Sequence, residues 1–141
     1  MSRVLVTGAA GAVGQALLGE LAATGVTTLA TDLRRPDTLP PEIGFEVLDV
    51  RGGDAMRIFG EFKPDVIVHL ASIVSPTREM TREFAREVDV GGTRTILDAA
   101  LHHGVKRLVV TSSGAAYGFI WNVERNESPL MTITRDQTEA I

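Results

Sequence analysis

The chain has 141 residues, enough for one domain with a hydrophobic core and too few for two. Hydrophobic residues make up 44% and charged residues 23%, and 18 acidic against 14 basic side chains leave a net charge of -4, which offers no basic footprint for nucleic acid or an anionic membrane. Cysteine is absent, so disulfides and thiolate chemistry are excluded.

Met1-Ser2-Arg3 leads straight into an apolar run with no leader pattern, and no stretch approaches the ~20 apolar residues of a membrane span. A soluble cytoplasmic protein is expected. From there two kinds of segment alternate. Short apolar runs, rich in β-branched residues, predict strands over 4–7, 27–31, 45–48, 66–70 and 108–111. Between most of them lie helical spacings: Val13, Leu17, Leu18 and Leu21; then Ala55, Ile58, Phe59 and Phe62; then Phe84, Val88, Ile96, Leu97 and Leu101. Helical crossovers are how parallel strands connect, so the rhythm predicts an α/β fold, a doubly wound parallel sheet. Gly25 and Gly104 read as helix stops, and the proline-rich stretch 35–41 as a surface loop. The rhythm fades after Gly118, which gives a domain over 1–118 and a tail over 119–141.

Directly after the first strand stands Gly8-Ala9-Ala10-Gly11-Ala12-Val13-Gly14, and a helical pattern follows it. In a dinucleotide-binding turn the first glycine makes the tight bend. The second lets backbone approach the pyrophosphate, and the third lets helix pack on strand. The helix N-terminus then offers N–H groups and positive dipole to phosphate. An ordinary glycine-rich βα turn is the plainer alternative. Asp32 ends the second strand, eighteen residues past Gly14. A carboxylate there accepts from the ribose hydroxyls and repels a 2′-phosphate, so NAD is expected before NADP. Arg34 and Arg35 stand close enough in sequence to serve such a phosphate instead. Asp49 is a candidate for the adenine amino group or for a cap, and His69 reads first as a packed, hydrogen-bonded strand-end residue. His69, His102 and His103 show no metal-ligand spacing.

Six ordered motifs complete the pattern: Thr7 to Gly14; Asp32; Asp49-Val50; His69-Leu70-Ala71-Ser72; Val88-Asp89-Val90-Gly91-Gly92-Thr93; and Val110-Thr111-Ser112-Ser113-Gly114-Ala115-Ala116-Tyr117-Gly118. Together, over residues 3 to 118, they resemble the extended short-chain dehydrogenase/reductases, the group of nucleotide-sugar epimerases and dehydratases. The resemblance implies a Rossmann-like sheet of order 3-2-1-4-5 with NAD(P) at its C-terminal edge. It implies that Gly8, Ala10, Gly11, Ala12, Val13 and Gly14 form the pyrophosphate turn, and that Asp32 meets the ribose. Asp49 and Val50 would flank adenine, and Leu70, Ala71 and Ser72 would line the nicotinamide side. Ser113 matches the family's catalytic serine, whereas Tyr117 belongs to the strand-end motif. A nucleotide sugar, or another hydroxyl or carbonyl compound, is the implied substrate, and the helix near Phe84 to Leu97 is an implied homo-oligomer contact.

Two departures stand out. The family's Tyr-x-x-x-Lys pair is absent from these residues: the only lysines are Lys63 and Lys106, and the loosely matching positions hold Ile133 and Gln137. Neither can transfer a proton or depress a neighbouring pKa. The tail therefore reads as a remnant of the catalytic-helix region, with the later strands and substrate lobe missing, and little turnover is expected from this chain alone. Asp89 stands where the family usually has asparagine, either near the cofactor or on a water-facing helix surface. The alternative function is a non-catalytic dinucleotide-binding or interaction module.

Overall fold

In the computed structural model, which describes residues 2–112, the five apolar runs form strands β1 (Arg3–Thr7), β2 (Thr27–Asp32), β3 (Gly44–Val47), β4 (Val66–His69) and β5 (Arg107–Val110). All are parallel, in the order β3-β2-β1-β4-β5. Leu5 at the sheet centre pairs with Leu29 on one side and Ile67 on the other. Successive side chains point to opposite faces of a strand. Leu5 accordingly enters one core with Ile58, Phe59 and Ile96, while Val4 and Val6 enter a second with Leu18, Ala30 and Ile43. Helices must therefore cover both faces, which is why the strands read as unbroken apolar runs rather than alternating ones.

Helix α1 (Ala12–Thr24) follows β1 and ends at Gly25, whose φ of 69° closes it in the left-handed conformation. Helix α2 (Asp54–Phe62) buries Ala55, Ile58 and Phe59, and ends on Lys63, a non-glycine residue at φ 53° just before Pro64. The segment 33–43 between β2 and β3 contains no helix, as its prolines require. None of the described helices is long and apolar enough to cross a membrane.

The crossover from β4 to β5 differs from the single helix expected. It consists of α3 (Arg82–Arg86), a π-helical segment (Glu87–Gly92) and α4 (Thr93–His102). The i→i+5 turn adds a residue to the helical winding. Val88, Gly92, Ile96 and Ala100 then all lie buried at a spacing of four, a spacing that drifts off one face in a pure α-helix. Leu97 and Leu101, expected on the same apolar stripe, face outward instead, at 43% and 72% exposure. Gly92 is where this helix touches the β3 loop: a Cβ there would sit 2.6 Å from Val50 Cγ2.

The sheet reverses its winding between β1 and β4, since the chain proceeds outward to β2 and β3 and then returns. Ligands in such sheets lie outside the carboxyl ends of the strands at this switch point. The opposite edge is closed by polar contacts. Asp65 accepts from the Arg3 N–H at 2.9 Å and pairs with Lys106 Nζ at 2.8 Å, which ties the starts of β1, β4 and β5 together.

Candidate functional site

The turn after β1 is built from backbone contacts that only glycine permits. Gly8 has φ 67°, and a Cβ on it would lie 2.6 Å from both Ala71 N and Leu70 C. A Cβ on Gly14 would lie 2.4 Å from the Gly8 carbonyl oxygen. Helix α1 thus packs directly on the turn, and the turn directly on the segment after β4. Gly11 is the N-cap of α1 and supplies no side-chain cap, and the first helical turn carries no acidic residue. The free N–H groups of that turn and the positive end of the dipole are left for an anion.

Asp32 lies beside this turn. Its Oδ2 accepts from the Ala10 N–H at 2.9 Å and its Oδ1 from the Leu33 N–H at 2.6 Å. One carboxylate therefore holds the glycine turn to the end of β2. Ala10 sits within the turn. It is buried at 5% exposure and does not line the cleft, because its N–H is engaged by Asp32 and its carbonyl accepts from Gln15 Nε2.

Asp49 lies two residues beyond the end of β3. Arg51 grips it from three sides: the backbone N–H at 3.0 Å, Nε at 3.1 Å and Nη2 at 2.8 Å. The guanidinium hydrogen bonds hold the Asp49 carboxyl below the usual carboxylate range. The same guanidinium lies 4.8 Å over the Phe84 ring, so Arg51 links the β3 loop to α3. Arg34 and Arg35 do not line the cleft. Arg34 pairs loosely with Asp37 at 3.9 Å, and Arg35 lies over Phe45 at 5.8 Å.

The other wall is held by side chains. His69 is 2% exposed, with Nδ1 at 2.7 Å from Thr7 Oγ1 and Nε2 at 3.1 Å from Thr93 Oγ1. Burial pushes its imidazole pKa down, against a smaller upward pull from Asp89. The packed, hydrogen-bonded reading of His69 agrees with this geometry. Asp89 does not simply face water: its Oδ1 accepts from Ser72 Oγ and from the Ile73 N–H, both at 2.9 Å. Both partners are donors. A carboxylate oxygen serves them as well as an amide oxygen would.

These walls enclose a cleft of about 550 Å³ at the C-terminal edge of the sheet. Gly8, Gly11, Ala12, Val13 and Gly14 line it, together with Asp32, Asp49 and Val50 and with Leu70, Ala71 and Ser72. Leu33, Arg51, Ile73 to Ser75, Met80 and Phe84 also line it and were not expected. Arg51 had a signal, since an aspartate two residues before an arginine favours a side-chain-to-backbone turn. The segment 73–80 has no periodicity, and nothing in it marks a wall. Ser113, Tyr117, Ile133 and Gln137 lie outside the described residues.

Comparison with known proteins agrees with this architecture. The family model for the NAD dependent epimerase/dehydratase family matches residues 4–137. An uncharacterized epimerase/dehydratase of Staphylococcus haemolyticus is 32% identical over 143 aligned positions, which are 98% of this chain and 44% of that protein. The Thermus thermophilus UDP-glucose 4-epimerase, solved with NAD, superposes with a TM-score of 0.75 at 32% identity, over 89% of this chain and 42% of that one. A UDP-glucose 4-epimerase of Thermotoga maritima, solved with UDP-glucose, gives 0.73 at 26% identity, over 81% and 38%. This chain thus spans less than half the length of these relatives. With the sheet order, the glycine turn and the family match in agreement, the chain belongs to the NAD-dependent epimerase/dehydratase family.

Proposed function

We propose that the cleft binds NAD and that this chain is the cofactor-holding part of an epimerase or dehydratase acting on a nucleotide sugar. The observation that carries the proposal is the meeting, in one cleft, of an uncapped helix N-terminus and a strand-end carboxylate. The first suits a pyrophosphate and the second a ribose diol. A volume of about 550 Å³ is within the range of small-molecule sites. Asp32 supports NAD over NADP, and Arg34 and Arg35, turned to Asp37 and Phe45, do not oppose it. Asp49 and Val50 are proposed to flank adenine, and Leu70, Ala71 and Ser72 the nicotinamide half. The relatives solved with NAD and with UDP-glucose support this cofactor and substrate class.

Bound there, NAD supplies a reversible hydride acceptor. The chain's own residues orient it and exclude water from one face. Proton transfer is a separate task, and both lysines stand away from it. Lys63 closes α2 and Lys106 pairs with Asp65, both at the sheet edge opposite the cleft. Ser113 is proposed to hydrogen-bond the reacting hydroxyl or carbonyl. A cytoplasmic setting is part of the same proposal.

The test is a calorimetric titration with NAD and, in parallel, NADP. One saturable NAD site per chain with weaker NADP binding is expected. No heat and no thermal stabilisation by either nucleotide would overturn the proposal.

A further inference from the structure

The segment Leu70 to Ile73 forms one wall of the cleft without belonging to a strand or helix. It is secured at both ends. Thr7 Oγ1 accepts from the Leu70 N–H at 3.2 Å and the Ala71 N–H at 3.3 Å. Asp89 Oδ1 accepts from Ser72 and Ile73. His69 stands between the two anchors, on Thr7 through one ring nitrogen and on Thr93 through the other.

The proton positions along this chain of contacts follow by elimination. Thr93 Oγ1 donates to the Asp89 carbonyl at 2.6 Å, so toward His69 it acts as acceptor, and Nε2 carries the ring proton. A neutral imidazole with its proton on Nε2 has a bare Nδ1, which accepts from the Thr7 hydroxyl. With its hydrogen directed to His69, Thr7 Oγ1 has two lone pairs free for Leu70 and Ala71. Leu70 shares its N–H with the Thr7 carbonyl at 3.2 Å, whereas the Ala71 N–H donates to the hydroxyl. Ala71 is also the residue against which Gly8 packs.

Resting on the assignment of the cleft to a dinucleotide, we infer that His69 is a positioning residue for the cofactor. As a neutral imidazole it aligns the Thr7 and Thr93 hydroxyls, and through them the Leu70–Ile73 wall against the glycine turn. Protonation places a hydrogen on Nδ1 and turns an acceptor into a donor. The Thr7 hydroxyl must then give one of its two lone pairs to His69, which leaves a single one for the Leu70 and Ala71 N–H groups together and loosens the hold on the wall. Among the groups facing the ring, Asp89 on the π-helical segment is the charged one, while β1 presents Thr7 and α4 presents Thr93, which do not titrate at these pH values. His69 thereby makes dinucleotide affinity fall in mild acid.

The test titrates the full chain with NAD by calorimetry at about pH 7.5 and about pH 5.5, with circular dichroism confirming the fold at each, for wild type, His69→Gln and Asp89→Ala. Wild-type affinity is expected to fall about three-fold or more at the lower pH. His69→Gln, which puts an amide donor and acceptor in place of the ring but cannot titrate, is expected to lose that dependence. Asp89→Ala is expected to weaken binding at both pH values and to speed hydrogen exchange at the Ile73 amide. Nitrogen-15 spectra of the neutral ring are expected to report the Nε2–H tautomer. Equal wild-type affinity at both pH values, the same acid loss in His69→Gln, or an Nδ1–H tautomer would overturn the inference. Should His69→Gln not fold, Thr93→Val replaces it, and an unchanged exchange rate at Ala71 and Ile73 in both remaining variants would sink the idea. Failure of the folded wild type to bind NAD at the higher pH counts against the proposed function, while the tautomer and the exchange rates still decide whether the wall is built through His69.

Discussion

The two sides of the cleft are made by different means. The glycine turn is shaped by what is missing: no Cβ on Gly8 or Gly14, no side-chain cap at Gly11. The Leu70–Ile73 wall is shaped by what is present, a set of hydroxyls, an imidazole and a carboxylate drawn from β1, β4, the π-helical segment and α4. Steric exclusion has no pH dependence and no partial states. A hydrogen-bonded wall has both, because each link depends on a protonation state and a rotamer. The same cleft thus joins a rigid surface for phosphate to an adjustable one for the reacting end.

Breaking the steric side has the largest expected effect. Gly8→Ala imposes a side chain at φ 67° against backbone, and Gly14→Ala drives a Cβ into a carbonyl, so each is expected to cost about 3 kcal/mol or more of stability and to abolish nucleotide binding. Gly19→Ala in the same α1 meets nothing within 4 Å and is expected to stabilise by up to about 1 kcal/mol. Urea denaturation of the three variants measures the contrast, and equal effects in all three would show that contact does not govern the turn.

On the hydrogen-bonded side, Thr7→Val keeps the shape and removes the hydroxyl. It leaves His69 Nδ1 and the Ala71 N–H without their partner, for an expected loss of about 2 kcal/mol by the same denaturation. Asp32→Ala probes the link between the sides. It frees the Ala10 and Leu33 N–H groups and removes the proposed ribose contact, so NAD affinity is expected to fall about ten-fold while NADP affinity falls less. Parallel titrations read the difference.

Acidification sharpens the comparison further. Burial lowers the folded pKa of His69, so the unfolded chain takes up the proton first. Its contribution is therefore intact above about pH 6.5, the unfolded value, and is lost as pH falls from there through the folded value. His69→Gln is expected to flatten that part of the stability curve, measured as thermal midpoint against pH. The smallest effect is expected from Asp89→Asn. The Ser72 hydroxyl and the Ile73 N–H are donors that an amide oxygen also satisfies, so a change within about 0.5 kcal/mol is expected by chemical denaturation.

The steric side was legible in the sequence because its determinants are contiguous: Gly8, Gly11 and Gly14 lie within one turn, and Asp32 marks the end of the next strand. The covering of both faces of the sheet was equally plain from the apolar runs, whereas the strand order came from the family resemblance. The other wall was legible only in its residues, not in its wiring. Thr7 and His69 are 62 positions apart and meet because β1 and β4 pair in register, a relation no local pattern encodes. The setting of Ala10 was hidden for a similar reason. It sits inside the motif, yet whether its backbone faces a ligand or Asp32 depends on how β2 lies against the turn. The outward turn of Leu97 and Leu101 followed from a change of helical winding that apolar spacing does not announce.

That winding makes the molecule unequally tolerant of changes in length. The segment 33–43 joins β2 to β3 without a helix, and a residue added there is taken up as slack. The π-helical segment Glu87–Gly92 holds no slack. Deleting one residue restores α-helical winding and turns all that precedes it by about 100° relative to α4. Val88 then leaves the core and Asp89 leaves Ser72 and Ile73, so a single deletion, with no change of chemistry, undoes one wall of the cleft.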